Sequence, residues 1–329
     1  MRRAALALAL GALLVLSIVL GVRFGSVHLT TAEALAALTG GGSRVSRMIV
    51  LDLRLPRTLL GALVGGGLAL AGATFQALLR NPLAEPYILG ISGGASVGAV
   101  LVLALGLATV GSWMLPVAAF AGALLAIALV FRVASASGRG MDVRVLLLAG
   151  VVVAAFFSAC IAFILSISEA RTVQSAVLWI MGSLAGADWQ SVTLAAAYTL
   201  PAGLLLLALA RPLNLMAIGE ETASYLGADV RRVKLVAFAV ASLITAAGVA
   251  VAGVIGFVGL VVPHAVRLLT GTDHRALLPL SFLAGAVFLS LADLAARLVL
   301  APAETPVGVI TAFVGVPIFL VLLRRSLAR

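Results

Sequence analysis

Ten apolar runs, most of them close to 20 residues long, leave this 329-residue chain almost no choice of solvent. They cover approximately residues 4–22, 58–79, 93–109, 113–131, 143–166, 190–210, 233–252, 254–270, 277–299 and 307–323. A helix that crosses the hydrocarbon of a bilayer needs about 20 such residues, and it satisfies its own backbone polar groups on the way. Only 10% of the residues are charged, against 63% hydrophobic, and mean hydropathy is +1.23. A domain of this length could not solvate itself in water with so few charges. The expected architecture is an all-α integral membrane protein of about ten transmembrane helices, with one transmembrane domain over 1–329. The fourth and eighth runs follow their predecessors so closely that very tight turns are expected before them.

Formal net charge is +10, and Lys234 is the one basic residue that is not Arg. Such a charge often marks nucleic-acid binding. Here the arginines are dispersed between apolar runs, so they read as topology determinants, with the lipid bilayer and not nucleic acid as the partner. With the N-terminus in the cytoplasm, 15 basic residues fall on the cytoplasmic side, Arg2, Arg3, Arg80, Arg139, Arg232 and Arg329 among them. Seven fall on the other: Arg23, Arg44, Arg47, Arg54, Arg57, Arg171 and Arg297. That asymmetry predicts a multi-pass inner-membrane protein with both termini cytoplasmic. Met1-Arg2-Arg3 and the first run mimic a signal peptide, but no small-x-small cleavage site follows, so a retained first helix is expected. Cys160, the single cysteine, lies in an apolar run and reads as packing.

Two stretches between runs stand apart. Residues 169–188 join the fifth and sixth runs on the outer side, with a polar start and an apolar centre, and read as a short helix tucked into the outer half. Residues 211–234 form the longest polar cytoplasmic segment. Within it, Glu220 and Glu221 would occupy the first turn of a short helix, where carboxylates complement exposed N–H groups, and Gly227 would end it. A faint repeat also appears: Ala69–Gly72 is followed by Pro82, and Ala250–Gly253 by Pro263, at an offset of 181 residues. The offset spans five runs, an odd number, which would make the two copies antiparallel, as in inverted-repeat transporters.

Separated motifs occur in order from about residue 50 to the C-terminus. They are Arg54-Leu55-Pro56-Arg57, Gln76 to Gly90 (QALLRNPLAEPYILG), Trp179 to Ser183 (WIMGS), Gly256 to His264 (GFVGLVVPH) and Pro302 to Gly308 (PAETPVG). Together they closely resemble the FecCD family, permeases of type II ABC importers for iron–siderophore complexes, haem and vitamin B12. The pattern Glu-x-Ala-x-x-x-Gly at 221–227 resembles the coupling-loop signature of ATP-binding-cassette permeases. The resemblance implies a type II importer permease fold and a homodimer, with two cytoplasmic ATPase subunits and a periplasmic binding protein as partners. It implies ATPase coupling through Gly219, Glu220, Glu221, Thr222, Ala223 and Gly227. It places binding-protein docking at Arg54, Arg57 and Arg297, and the gate and translocation path at Asn81, Pro82, Leu83, Thr172, Gln174 and Ser175.

Physical reading of the residues runs beside that resemblance. Pro82 and Pro86 interrupt helical hydrogen bonding after the second run. Arg54 and Arg57 share a helical face, with local pairing to Asp52 and Asp293 as the alternative to docking. No G-x-x-x-x-G-K-[ST] occurs, so ATP hydrolysis is expected from partner subunits and the chain is not expected to be an enzyme. His28, His264 and His274 are scattered, and neither a metal site nor a bound cofactor is expected. An ion-coupled secondary transporter is the alternative, weakened because every acidic residue falls near a run end or in a loop. The Gly90-Ile91-Ser92-Gly93 sequence raises an intramembrane serine protease as a remote third reading.

Overall fold

The computed structural model describes residues 2–111, 113–136 and 142–327. Arg139 and Arg329, counted above in the charge asymmetry, lie outside the described residues. Ten helices match the ten runs: α1 Arg2–Arg23, α2 Leu55–Leu78, α3 Ile91–Ala104, α4 Met114–Ala136, α5 Val143–Ser166, α6 Trp189–Ala208, α7 Val230–Ala252, α8 Val258–Thr270, α9 His274–Leu298 and α10 Val307–Leu327. No strand occurs among the described residues. Among the described residues, seven helices are long and apolar enough to cross a bilayer, while α3, α8 and the apolar Val307–Val321 part of α10 are shorter.

Acidic residues near the run ends have a local cause. Asp142, Asp188, Asp229 and Asp273 are the N-caps of α5, α6, α7 and α9, each accepting a backbone N–H from the first turn. Asp273 also accepts from Asn214 at 2.8 Å and pairs with Arg3 at 2.9 Å. The Asn214 amide, with the Arg275 N–H and Arg3, holds its carboxyl below the usual carboxylate range. These contacts put the N-terminus, the 210–218 segment and the head of α9 on one face of the bundle, hereafter the N-terminal face.

Helix α2 is the axis of the fold, with 20 of its 24 residues buried. It packs against α6, α7, α8 and α9. The approach is closest where glycines meet: a Cβ on Gly72 would lie 1.9 Å from the Gly259 carbonyl oxygen, and one on Gly65 would lie 2.3 Å from that of Gly285. In a bilayer, where no hydrophobic force draws helices together, such small-residue contacts supply the packing. A wide π-helical turn, Met48–Arg54, leads into α2 on the opposite face.

The tight turn expected before the eighth run is instead a non-helical thread. Gly253 ends α7 at φ 68°, and Phe257, at φ 69°, precedes α8, so residues 253–257 cannot continue either helix. Beside the thread, Ser183 N–H donates to the carbonyl of Ala252, the last residue of α7, at 2.8 Å, and Val307 N–H to the Gly182 carbonyl at 3.1 Å. The two copies of the faint repeat lie in helices that pack on each other, but Gly72 sits inside α2 whereas Gly253 terminates α7. Their places are therefore not equivalent.

Candidate translocation path and coupling surface

The chain leaves α2 through a turn that the sequence marks with proline and asparagine. Arg80 takes a left-handed φ of 47°, and Asn81 Oδ1 accepts the Leu83 N–H at 2.9 Å, closing an Asx turn. Pro82 is exposed, and Leu83 packs against Leu260 and Val261, as do Phe257 and Phe319. Gln76, buried beneath this turn, donates to the carbonyls of Gly259 and Leu260 and accepts from Arg267 Nη2 at 2.9 Å. The three residues expected at a gate thus lie where α2, α8 and α10 converge.

Above that cluster, the thread 253–257 is held by side chains of the 79–90 connection. Glu85 Oε1 accepts the Phe257 N–H at 2.8 Å, and the Tyr87 hydroxyl accepts the Ile255 N–H at 3.2 Å. Buried backbone amides need such partners, most of all where water is scarce. Phe257 keeps its left-handed backbone and presses on α10, where a Cβ on Gly315 would lie 2.5 Å from its own Cβ. One side of Phe257 faces a cavity of about 640 Å³ lined only by apolar residues and glycines, among them Ile180, Met181, Gly308, Ala312 and Val316. No ionisable side chain lines it.

Glu85, Tyr87 and Phe257 stood inside quoted motifs without an assigned role. An acidic residue between two prolines in an apolar stretch was the one available signal, and nothing in the order of residues ties it to position 257.

The 169–188 stretch forms a helix, Ala170–Ile180, followed by an irregular segment to Asp188. Ile180 and Met181 reach the cavity, whereas Thr172, Gln174 and Ser175 do not line it. Thr172 is half-buried, and Gln174 and Ser175 are exposed on the opposite face of the bundle.

On the N-terminal face, the helix Glu220–Tyr225 follows Gly219, whose φ of 149° and ψ of 145° break it from the preceding segment. Gly227 has φ 85° and donates its N–H to Ser224, while Ala228 donates to Ala223, a Schellman ending. Ala223 is buried, and Glu221, Thr222, Tyr225 and Leu226 are exposed. Tyr225 is 90% and Ile218 71% accessible, an apolar patch in the most polar loop of the chain.

The three arginines expected on an outer docking face are inside the bundle. Arg54, Arg57 and Arg297 are 5%, 9% and 3% exposed. Arg57 Nε donates to both Asp293 oxygens at 2.9 and 3.1 Å, and its Nη1 reaches Glu304 at 2.9 Å. Arg297 pairs with Asp293 at 3.1 Å and donates to the Gly21 carbonyl at 3.1 Å. Arg54 donates to the carbonyls of Val22, Arg23 and Val27, not to Asp52 as local pairing would have it. The physical reason is the C-terminus of α1, whose last carbonyls lack intrahelical partners and whose dipole favours cations. Local pairing with Asp293, the alternative to docking, is what the geometry supports.

Comparison with known proteins decides the lineage. The FecCD transport family matches residues 13–325. This chain belongs to that family. Among its relatives, the ABC transporter permease protein YvrB of Bacillus subtilis is 42% identical, over 95% of this chain and 91% of that one. The cobalamin import system permease BtuC of Halobacterium salinarum is 46% identical over 90% of this chain and 78% of its own length. The hemin transport system permease HmuU of Yersinia pestis is 44% identical over 84% of each. A metal-chelate type ABC transporter solved in an inward-facing conformation superposes with a TM-score of 0.87 at 31% identity, over 98% of this chain and 99% of that one. The FecCD chain described here is thus an all-α ABC transporter permease, a transport subunit of the multi-pass membrane class.

Proposed function

We propose that this FecCD permease imports a bulky chelate, a ferric siderophore, haem or cobalamin, with ATP hydrolysed by separate subunits on the N-terminal face. The observation that carries the reading is the apolar cavity lined by Phe257 and residues of α10. A wall without fixed charge or ligand suits a large cargo that must pass without being held. The relatives named for cobalamin and hemin point to the same class. In this reading the N-terminal face is cytoplasmic, and a second copy against the exposed face of α10, where Phe313 is 75% accessible, completes the path. A binding protein delivers cargo to the opposite face. With Arg54, Arg57 and Arg297 occupied internally, its acidic residues meet the exposed Arg44, Arg47 and Arg171 instead.

The direct test is uptake into vesicles that contain the permease, its ATPase and its binding protein, with cyanocobalamin, hemin and a ferric hydroxamate as separate probes. Uptake of at least one probe is expected to require ATP and to survive dissipation of proton and sodium gradients. Uptake driven by an ion gradient alone would favour the ion-coupled alternative. A second expectation concerns the 170–180 helix at the mouth of the path. Single cysteines at Thr172, Gln174 and Ser175, in a Cys160→Ser background, should react with a membrane-impermeant thiol reagent at rates that change with nucleotide state. Equal rates in every state would mark a static surface helix.

A further inference from the structure

Glu220 and Glu221 are neighbours with opposite surroundings. Glu221 is exposed, as are Tyr225 and Leu226. Glu220 turns toward the bundle and divides its two oxygens between separate elements. Its Oε1 lies 3.1 Å from Arg80 Nη2, in the turn that follows α2, and its Oε2 lies 2.6 Å from Lys234 Nζ, one turn into α7. Charge-assisted contacts at such distances are directional as well as attractive. One carboxylate therefore joins the 220–225 helix, the head of α7 and the residue that immediately precedes Asn81, Pro82 and Leu83.

Arg80 is a singular place to attach such a link. Its left-handed φ of 47° is uncommon for a residue with a Cβ and persists only where surroundings hold it. From it the backbone passes directly into the Asx turn that positions Leu83 on Leu260 and Val261, the pair that Phe257 also packs against. A shift of the 220–225 helix pulls on the Arg80 guanidinium, and the turn has no slack residue before Leu83 to absorb the movement. We propose that Glu220 is a positioning residue that transmits displacement of the coupling helix to the gate turn through Arg80, with Lys234 as the fixed point. This inference rests on the reading of 219–227 as the ATPase contact. The Glu220–Arg80 pair is partly exposed and adds little to stability, and a glutamine at 220 keeps an amide oxygen for the more buried Lys234, so Glu220→Gln should alter transmission and leave the fold intact.

The experiment uses the full-length permease assembled with its ATPase subunits, in a Leu83→Cys, Cys160→Ser background that needs no cargo. The rate of Leu83→Cys labelling by a small thiol reagent is measured with and without a non-hydrolysable ATP analogue. In the parent the two rates should differ. Glu220→Gln and Arg80→Gln should each shrink that ratio at least about 5-fold, a size typical of coupling between sites. The double variant should do no worse than the poorer single, and Arg80→Lys should keep the ratio. Additive losses, or an unchanged ratio in Glu220→Gln, would overturn the proposal. So would a fall in ATPase-subunit affinity caused by Glu220→Gln, since that would make Glu220 a contact residue. The underlying reading is tested separately by cross-linking Tyr225→Cys to the ATPase subunit. Failure to cross-link with a non-additive labelling result would discard the contact assignment and keep the Glu220–Arg80 link.

Discussion

Asp293→Ala should destabilise the folded protein by about 3–5 kcal/mol, the usual cost of removing one partner from a buried charge pair. Asp293 is 1% exposed and serves two guanidiniums, taking Arg57 at 2.8 Å and Arg297 at 3.1 Å. Without it, Arg297 keeps the backbone carbonyls of Gly21 and Phe24 but no carboxylate at contact distance, and Arg57 keeps Glu304, which is itself about one-third exposed. Two cations would then remain in a dry site with half their compensation. The measurement is thermal unfolding of the detergent-purified protein, with Glu304→Ala as the milder comparison because its pair reaches solvent. The same geometry sets the expected outcome of reversing Arg54, Arg57 and Arg297 to Glu together. That variant would bury new carboxylates beside Asp293 and against the carbonyls that end α1, and it should fail to accumulate as folded protein. A triple variant that melts like the parent and loses only binding-protein affinity would contradict the internal brace.

The second large effect is expected at Gly227. Its φ of 85° is open to glycine and strained for a β-branched residue, so Gly227→Val carries a local penalty of roughly 1–3 kcal/mol. The Schellman ending cannot form without that conformation, and the last turn of the 220–225 helix loses the two bonds that Gly227 and Ala228 donate. Nothing lies close to the Gly227 Cβ position, so the strain stays in the loop and does not reach the bundle. Membrane insertion and thermal stability should therefore be kept, while ATP-driven transport falls by about tenfold or more, as 1.4 kcal/mol of lost coupling would give. Glu221→Lys should act in the same direction by reversing an exposed charge on the surface proposed to meet the ATPase. Normal transport in both variants, with the ATPase bound, would show that coupling uses another surface.

Much of the architecture could be read from the order of residues alone. A run of 20 apolar residues is a statement about one segment and the bilayer, and it needs no partner to be true. The helix starts at Asp142, Asp188, Asp229 and Asp273 and the ending at Gly227 are equally local, because a cap acts within four residues of itself. The broken helix at 253–257 was less legible. Gly253 announces an end, but Phe257 adopts a left-handed backbone against its own preference because Glu85, 172 residues earlier, accepts its N–H and Gly315 leaves room for its ring.

The arginines draw the line most clearly. Helical spacing established that Arg54 and Arg57 point the same way, and it could not establish what lies in that direction. Whether a guanidinium meets water, a partner protein or a buried carboxylate depends on residues far along the chain: Asp293 lies 236 positions from Arg57, and the carbonyls of Val22 and Arg23 lie 32 and 31 from Arg54. Segment identity, length and capping are set by short-range forces and were determined by the sequence itself. The pairing of charges, the left-handed turn at Arg80 and the apolar floor at Phe257 were decided only when ten helices packed, because each costs free energy in isolation and is stable solely through contacts that tertiary structure brings together.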